Sequence, residues 1–153
     1  MDKQIALINN SDYLQQQVWP LVVELADILK TPGMSAHSLM SYFLYGINGG
    51  VELWGAIKEG KCIGFTSFHK AAAPYYSTGV WTFVYMKEKD KELTAQLYEK
   101  FPEFLKKNNL KYAMYHSQTR KMGEYFKDKL ADLDIKTIKS EYVHSAKRNI
   151  GGK

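Results

Sequence analysis

Along this chain the apolar positions change rhythm several times, from every second residue to every third or fourth and back, and the changes mark off its elements. Lys3 to Ile8 has the short alternation of a strand, and Asn9-Asn10-Ser11-Asp12 follows with side chains able to cap a helix. Leu14, Val18, Leu21, Leu25 and Ile28 then repeat at helical spacing and predict a helix up to Lys30. Pro20 lies within that stripe and, having no N–H to give, predicts a kink; Thr31-Pro32-Gly33 ends the run. Ser35 is placed to cap a second helix whose apolar face is Leu39, Met40, Phe43 and Leu44, broken by Asn48-Gly49-Gly50. Its His37, Tyr42 and Tyr45 suit either a packed core or the wall of a substrate cleft, the core being the commoner use of aromatics at such spacing.

Val51 to Lys58 and Lys61 to Lys70 are rich in β-branched and aromatic residues, and Glu59-Gly60 between them suits a two-residue hairpin turn. Ser77 to Met86 predicts a further strand with Val80, Thr82, Val84 and Met86 on one face and Trp81, Phe83 and Tyr85 on the other. Apolar on both faces, it belongs in the middle of a sheet covered on both sides. Asp90 can cap a long helix carrying Leu93, Leu97, Phe101, Phe104 and Leu105, which ends at Asn108-Asn109 and in which Pro102 predicts another kink. Leu110 to His116 reads as the next strand, Gln118 to Leu130 as an amphipathic helix, and Ile135 to His144 as one or two closing strands.

Composition fits one globular domain, expected over residues 1–148, with 149–153 a flexible tail. No apolar run approaches the roughly 20 residues that span a bilayer, and Met1-Asp2-Lys3-Gln4 lacks the layout of a signal peptide, so no membrane association is expected. Cys62 is the only cysteine and sits in an apolar strand pattern, which predicts an inert buried thiol and accords with a reducing cytoplasm. The net charge of +5 is uneven: residues 87–153 carry 16 Lys/Arg against 10 Asp/Glu, and residues 1–86 carry 5 against 6. The basic half can attract phosphates, although mixed runs such as Glu88-Lys89-Asp90-Lys91 are also ordinary solvated surface. Arg120 and Arg148 are the only arginines, which argues against nucleic-acid binding. His37, His69, His116 and His144 have no metal-ligand spacing, and no nucleophile elbow, phosphate loop or dinucleotide fingerprint appears.

The succession of strand, two helices, three strands, helix, strand, helix and strand resembles the GNAT family of acyl-coenzyme A N-acyltransferases over nearly the whole chain. Val18-Trp19-Pro20-Leu21, Lys58-Glu59-Gly60-Lys61-Cys62-Ile63-Gly64-Phe65 and Phe104-Leu105-Lys106-Lys107-Asn108-Asn109-Leu110-Lys111-Tyr112 are similar to strings of that family. The resemblance implies an α/β (α+β) fold with one mixed, mostly antiparallel sheet flanked by helices. It also implies acetyl-coenzyme A or coenzyme A as cofactor and an amine as acceptor.

In the family, an Arg/Gln-x-x-Gly-x-Gly/Ala segment opens the third helix and receives the cofactor pyrophosphate on bare backbone amides. The matching residues here are Lys89-Asp90-Lys91-Glu92-Leu93-Thr94, with Glu92 in the place of the first glycine, and no glycine lies between Gly79 and Gly123. A carboxylate there repels phosphates and bars close backbone approach. The resemblance places the cofactor along Val84, Tyr85, Met86, Lys87, Lys89, Lys91, Thr94 and Ala95, the lysines standing in as point charges. It makes the backbone at Val84 to Met86 the thioester's donor and Tyr125 the acid for the departing thiolate. Glu52 and His116 are the candidate bases, because Ser77 to Met86 holds no Asp, Glu or His. No metal is expected.

A second reading keeps the fold without catalysis. Divergent GNAT-like chains without the glycines resemble accessory and virion-associated proteins of bacteriophages, whose partners are proteins or further copies of the chain. Tyr75-Tyr76 beside Pro74 would then serve as interface anchors.

Overall fold

In the computed structural model, which describes residues 2–117 and 120–142, six strands form one sheet in the order β1-β2-β3-β4-β5-β6. They are β1 (Lys3–Leu7), β2 (Glu52–Lys58), β3 (Lys61–Lys70), β4 (Thr78–Met86), β5 (Tyr112–Ser117) and β6 (Lys136–Tyr142). The ladders β1–β2 and β2–β3 are antiparallel. Residue numbers fall along β3 as they rise along β4, in the bonds Thr66 to Phe83 and Lys87 to Ile63, so this pair is antiparallel too. The β4–β5 and β5–β6 ladders are parallel. The sheet is therefore mixed and mostly antiparallel, and it is flanked by helices, as the order of elements implied. The tail at 149–153, His144 and the expected helix start at Gln118 lie outside the described residues.

The chain divides into two compact units, Met1–Phe68 with Phe83–Lys100, and His69–Thr82 with Phe101–Lys153. In the first unit Asn10 caps a short helix, α1 (Ser11–Tyr13), its side chain accepting from the Tyr13 N–H. A π-helical turn, Leu14–Val18, leads into α2 (Trp19–Leu29). The kink expected at Pro20 takes the form of this wider turn. A regular helix would press the proline ring on the Gln16 carbonyl and leave that oxygen without a donor. Instead the Trp19 N–H reaches back to Leu14, and Pro20 stands in the first turn of α2, where no N–H is required. Ser35 and Ser38 form a reciprocal capping box at the start of α3 (Ala36–Gly46). Leu14, Val18, Leu21, Val22, Leu25, Leu39, Met40 and Phe43 pack with Leu53, Cys62 and Phe65 of the sheet into one core. A second core joins Leu93 and Leu97 of α4 (Lys91–Lys107) to Ala56 and Ile63, with Met86 against it.

Glu59 and Gly60 both take positive φ, 51° and 80°, which makes the β2–β3 turn the type that twists with its strands. Gly64 is needed for a different reason. A Cβ there would stand 2.7 Å from the Tyr85 carbonyl oxygen and 3.2 Å from the Met86 Cα, so the backbone of β4 crosses directly over it.

In the second unit, Trp81 stacks on Phe101 with ring centroids 5.2 Å apart and meets the edge of Phe126 at 5.0 Å. Tyr115 closes the cluster, and its hydroxyl donates to the Gly123 carbonyl in α5 (Arg120–Asp132) at 3.3 Å. Gly79 lies against Leu105 and Leu110, and a Cβ there would require the Leu105 side chain to shift.

Gly64→Ala should cost about 1–3 kcal/mol of folding stability, the usual penalty for forcing a methyl into a packed site. Urea unfolding measures it, and an unchanged midpoint would contradict the close crossing of β4.

Candidate functional site

The carboxyl end of β4 is held to β3 by side chain and backbone together. Thr66 Oγ1 donates to the Phe83 carbonyl at 3.0 Å, and the Lys87 N–H donates to the Ile63 carbonyl at 2.8 Å. Between these bonds Tyr85 and Met86 pass over Gly64, where an added Cβ would meet the Tyr85 carbonyl oxygen at 2.7 Å.

From this end of β4 Tyr85 reaches α2. Its hydroxyl donates to Glu24 Oε1 at 2.7 Å, and Lys87 Nζ stands 3.2 Å from Oε2. The hydrogen bond from Tyr85, followed by Lys87, holds the Glu24 carboxyl below its ordinary range. Burial, with Glu24 adding to it, pushes the Tyr85 phenol up to about 12, so it stays a donor throughout the physiological range. Glu24 was missed by reasoning from sequence. The available signal was a carboxylate three residues after Leu21 and four before Ile28, at the border of an apolar stripe, and Tyr85 was read only for its backbone.

The start of α4 is held from within. Asp90 Oδ1 accepts from the Leu93 N–H at 3.0 Å, and its other oxygen meets Lys3 Nζ at 3.0 Å and Lys58 Nζ at 3.6 Å. With a side chain only 4% exposed, Asp90 fills the positive end of the helix with the protein's own carboxylate. The bond from Leu93 and then Lys3 keep its carboxyl below the ordinary range. Glu92 turns to Lys3 at 3.8 Å and is exposed, and Glu88 stands 3.8 Å from Lys58.

Solved structures share this arrangement of elements. A GNAT family acetyltransferase of Staphylococcus aureus is 24% identical with a TM-score of 0.57, over 78% of this chain and 90% of that one. A predicted acetyltransferase of Clostridium acetobutylicum solved with acetyl-CoA has a TM-score of 0.61 at 14% identity, over 84% and 88% of the two chains. The PaiA N-acetyltransferase of Thermoplasma acidophilum in complex with coenzyme A reaches 0.58 at 15%, over 84% and 89%. This chain has the GNAT acetyltransferase fold. No protein-family model and no curated protein matches the sequence.

Within the GNAT fold the residues singled out in the sequence take these places. Val84, Tyr85 and Met86 end β4, and Lys87 follows, engaged by Glu24. Lys89 and Lys91 are exposed at the entry to α4; Thr94 is half-buried, its N–H on the Asp90 carbonyl, and Ala95 is exposed. Glu52 belongs to β2 and accepts from the Trp54 indole N–H at 3.0 Å. His116 is the penultimate residue of β5. Tyr125 is an exposed residue of α5, beside Phe126 and with Lys129 Nζ 5.9 Å from its ring centre. Cys62 is buried and donates to the Gly64 carbonyl, and burial pushes its thiol up to about 11, which removes it as a thiolate nucleophile. Among the described residues no group of three His, Cys, Asp or Glu side chains could hold a metal ion, and no helix is long and apolar enough to cross a membrane.

Because the folded Asp90 carboxyl is depressed, its stabilisation is complete above its ordinary value near 3.8 and is lost as pH falls through the lower folded value. Asp90→Ala should therefore lower the urea midpoint at pH 7, with the gap to the wild type closing in acid, and Asp90→Asn should fall between the two. A gap that stays constant below pH 4 would contradict the clamp.

Proposed function

We propose that this chain is an N-acyltransferase of the GNAT family, moving an acyl group from a coenzyme A thioester to an amine. The observation that carries the reading is the fold, shared with two acetyltransferases solved with acetyl-CoA and with coenzyme A. A thioester under attack develops charge on its carbonyl oxygen, and donors fixed where that charge appears are the largest common source of catalysis in acyl transfer. The resemblance to the family gives that task to the backbone at Val84 to Met86, which passes closely over Gly64.

The cofactor's phosphates are taken in a manner of this chain's own. Asp90 occupies the helix end, so the positive charge comes from the Lys89 and Lys91 side chains, with Thr94 and Ala95 in the first turn beside them. Lys87 is committed to Glu24 and contributes less than its position in the sequence implied. Tyr125 supplies the proton to the departing thiolate, and His116 or Glu52 receives one from the amine.

One observation favours a second reading, a GNAT fold that interacts without catalysing. It is the same Asp90 clamp, which puts a negative charge where a pyrophosphate would bind. Isothermal titration separates the two. Acetyl-CoA should bind with a dissociation constant on the order of micromolar, and Lys89→Ala with Lys91→Ala should weaken it about tenfold, as two exposed charge contacts would. No heat at millimolar acetyl-CoA would reject the acyltransferase and leave the interaction module. With an amine that the protein acetylates, Tyr125→Phe should lower kcat by about 10² with little change in KM, the scale of a lost general acid; an unchanged kcat would remove Tyr125 from the reaction.

A further inference from the structure

The Glu24, Tyr85 and Lys87 group resembles an ammonium site already filled by a side chain of the protein. Glu24 offers two oxygens. One is fixed by the half-buried Tyr85 hydroxyl, and the other faces a primary ammonium, Lys87 Nζ, at 3.2 Å. Tyr85 lies at the carboxyl end of β4, so the carboxylate hangs one side chain away from the backbone that the acyl-transfer reading assigns to the thioester. The ammonium is held loosely: Lys87 is 53% exposed on a flexible stem, whereas Glu24 is anchored from a residue 61 positions away in the chain. Exchanging one ammonium for another leaves the charge balance of the site unchanged, so neither partner is stranded.

We infer that Glu24, oriented by Tyr85, is the seat of the acceptor's ammonium group, and that Lys87 occupies the seat while the acceptor is absent. The acceptor class is a primary aliphatic amine, such as a small alkylamine, a diamine or a lysine side chain. This assignment rests on the acyl-transfer reading for its meaning, but the binding site can be tested without the cofactor.

The probe is n-butylammonium chloride, followed by backbone amide shifts of residues 24 and 85 in the wild type, Lys87→Ala, the double variant Lys87→Ala with Glu24→Gln, and Tyr85→Phe. Removing the resident ammonium should tighten binding about fivefold. Adding Glu24→Gln should weaken it again by about tenfold, and Tyr85→Phe should weaken it severalfold relative to the wild type, the sizes expected for one partly exposed charge or hydrogen bond. Thermal melts of each variant confirm folding. Equal affinity in Lys87→Ala and the double variant, or no tightening on removal of Lys87, would overturn the site. Acetyl-CoA titrated separately into the wild type reports on the other reading. Glu24-dependent butylammonium binding without cofactor binding keeps the site and rejects acyl transfer, and the reverse pattern rejects the site alone.

Discussion

The passage of the Tyr85-Met86 backbone over Gly64 is the constraint on which the end of β4 depends. Without a side chain at Gly64, the backbone of β4 can lie close against β3. From that position the Tyr85 hydroxyl meets Glu24 on α2. One small residue in β3 thereby supports both the end of β4 and the carboxylate that Tyr85 holds.

Electrostatics at the start of α4 follow a different course. The positive end of that helix would suit a phosphate, but Asp90 caps it and Lys3 and Lys58 neutralise Asp90. The chain thus meets the need of that helix end with its own groups. Lys89 and Lys91 are exposed on the surface beside this closed cap. A fold shared at 14 to 24% identity leaves the activity to be argued from such details.

Much of the architecture was legible in the sequence because local rules and packing agreed. The caps at Asn10, Ser35 and Asp90, the Glu59-Gly60 turn and the doubly apolar β4 each formed where the pattern placed them. Pro20 was read correctly as a disturbance, but its form, a π turn just before the proline, depends on which carbonyl the ring would strike. The site was far less legible. Glu92 drew notice as a misplaced carboxylate, yet it turns to Lys3, and the carboxylate that fills the helix end is Asp90. Glu24 escaped because its meaning comes from a tyrosine 61 residues away.

The most direct test of acyl transfer at this end of β4 is a crystal structure grown with acetyl-CoA. The thioester oxygen should lie about 3 Å from a backbone N–H among Val84 to Met86, with the phosphates against Lys89 and Lys91 and Asp90 still bound to Leu93. A thioester lodged away from Val84 to Met86, or phosphates seated on the α4 amides with Asp90 displaced, would contradict this placement.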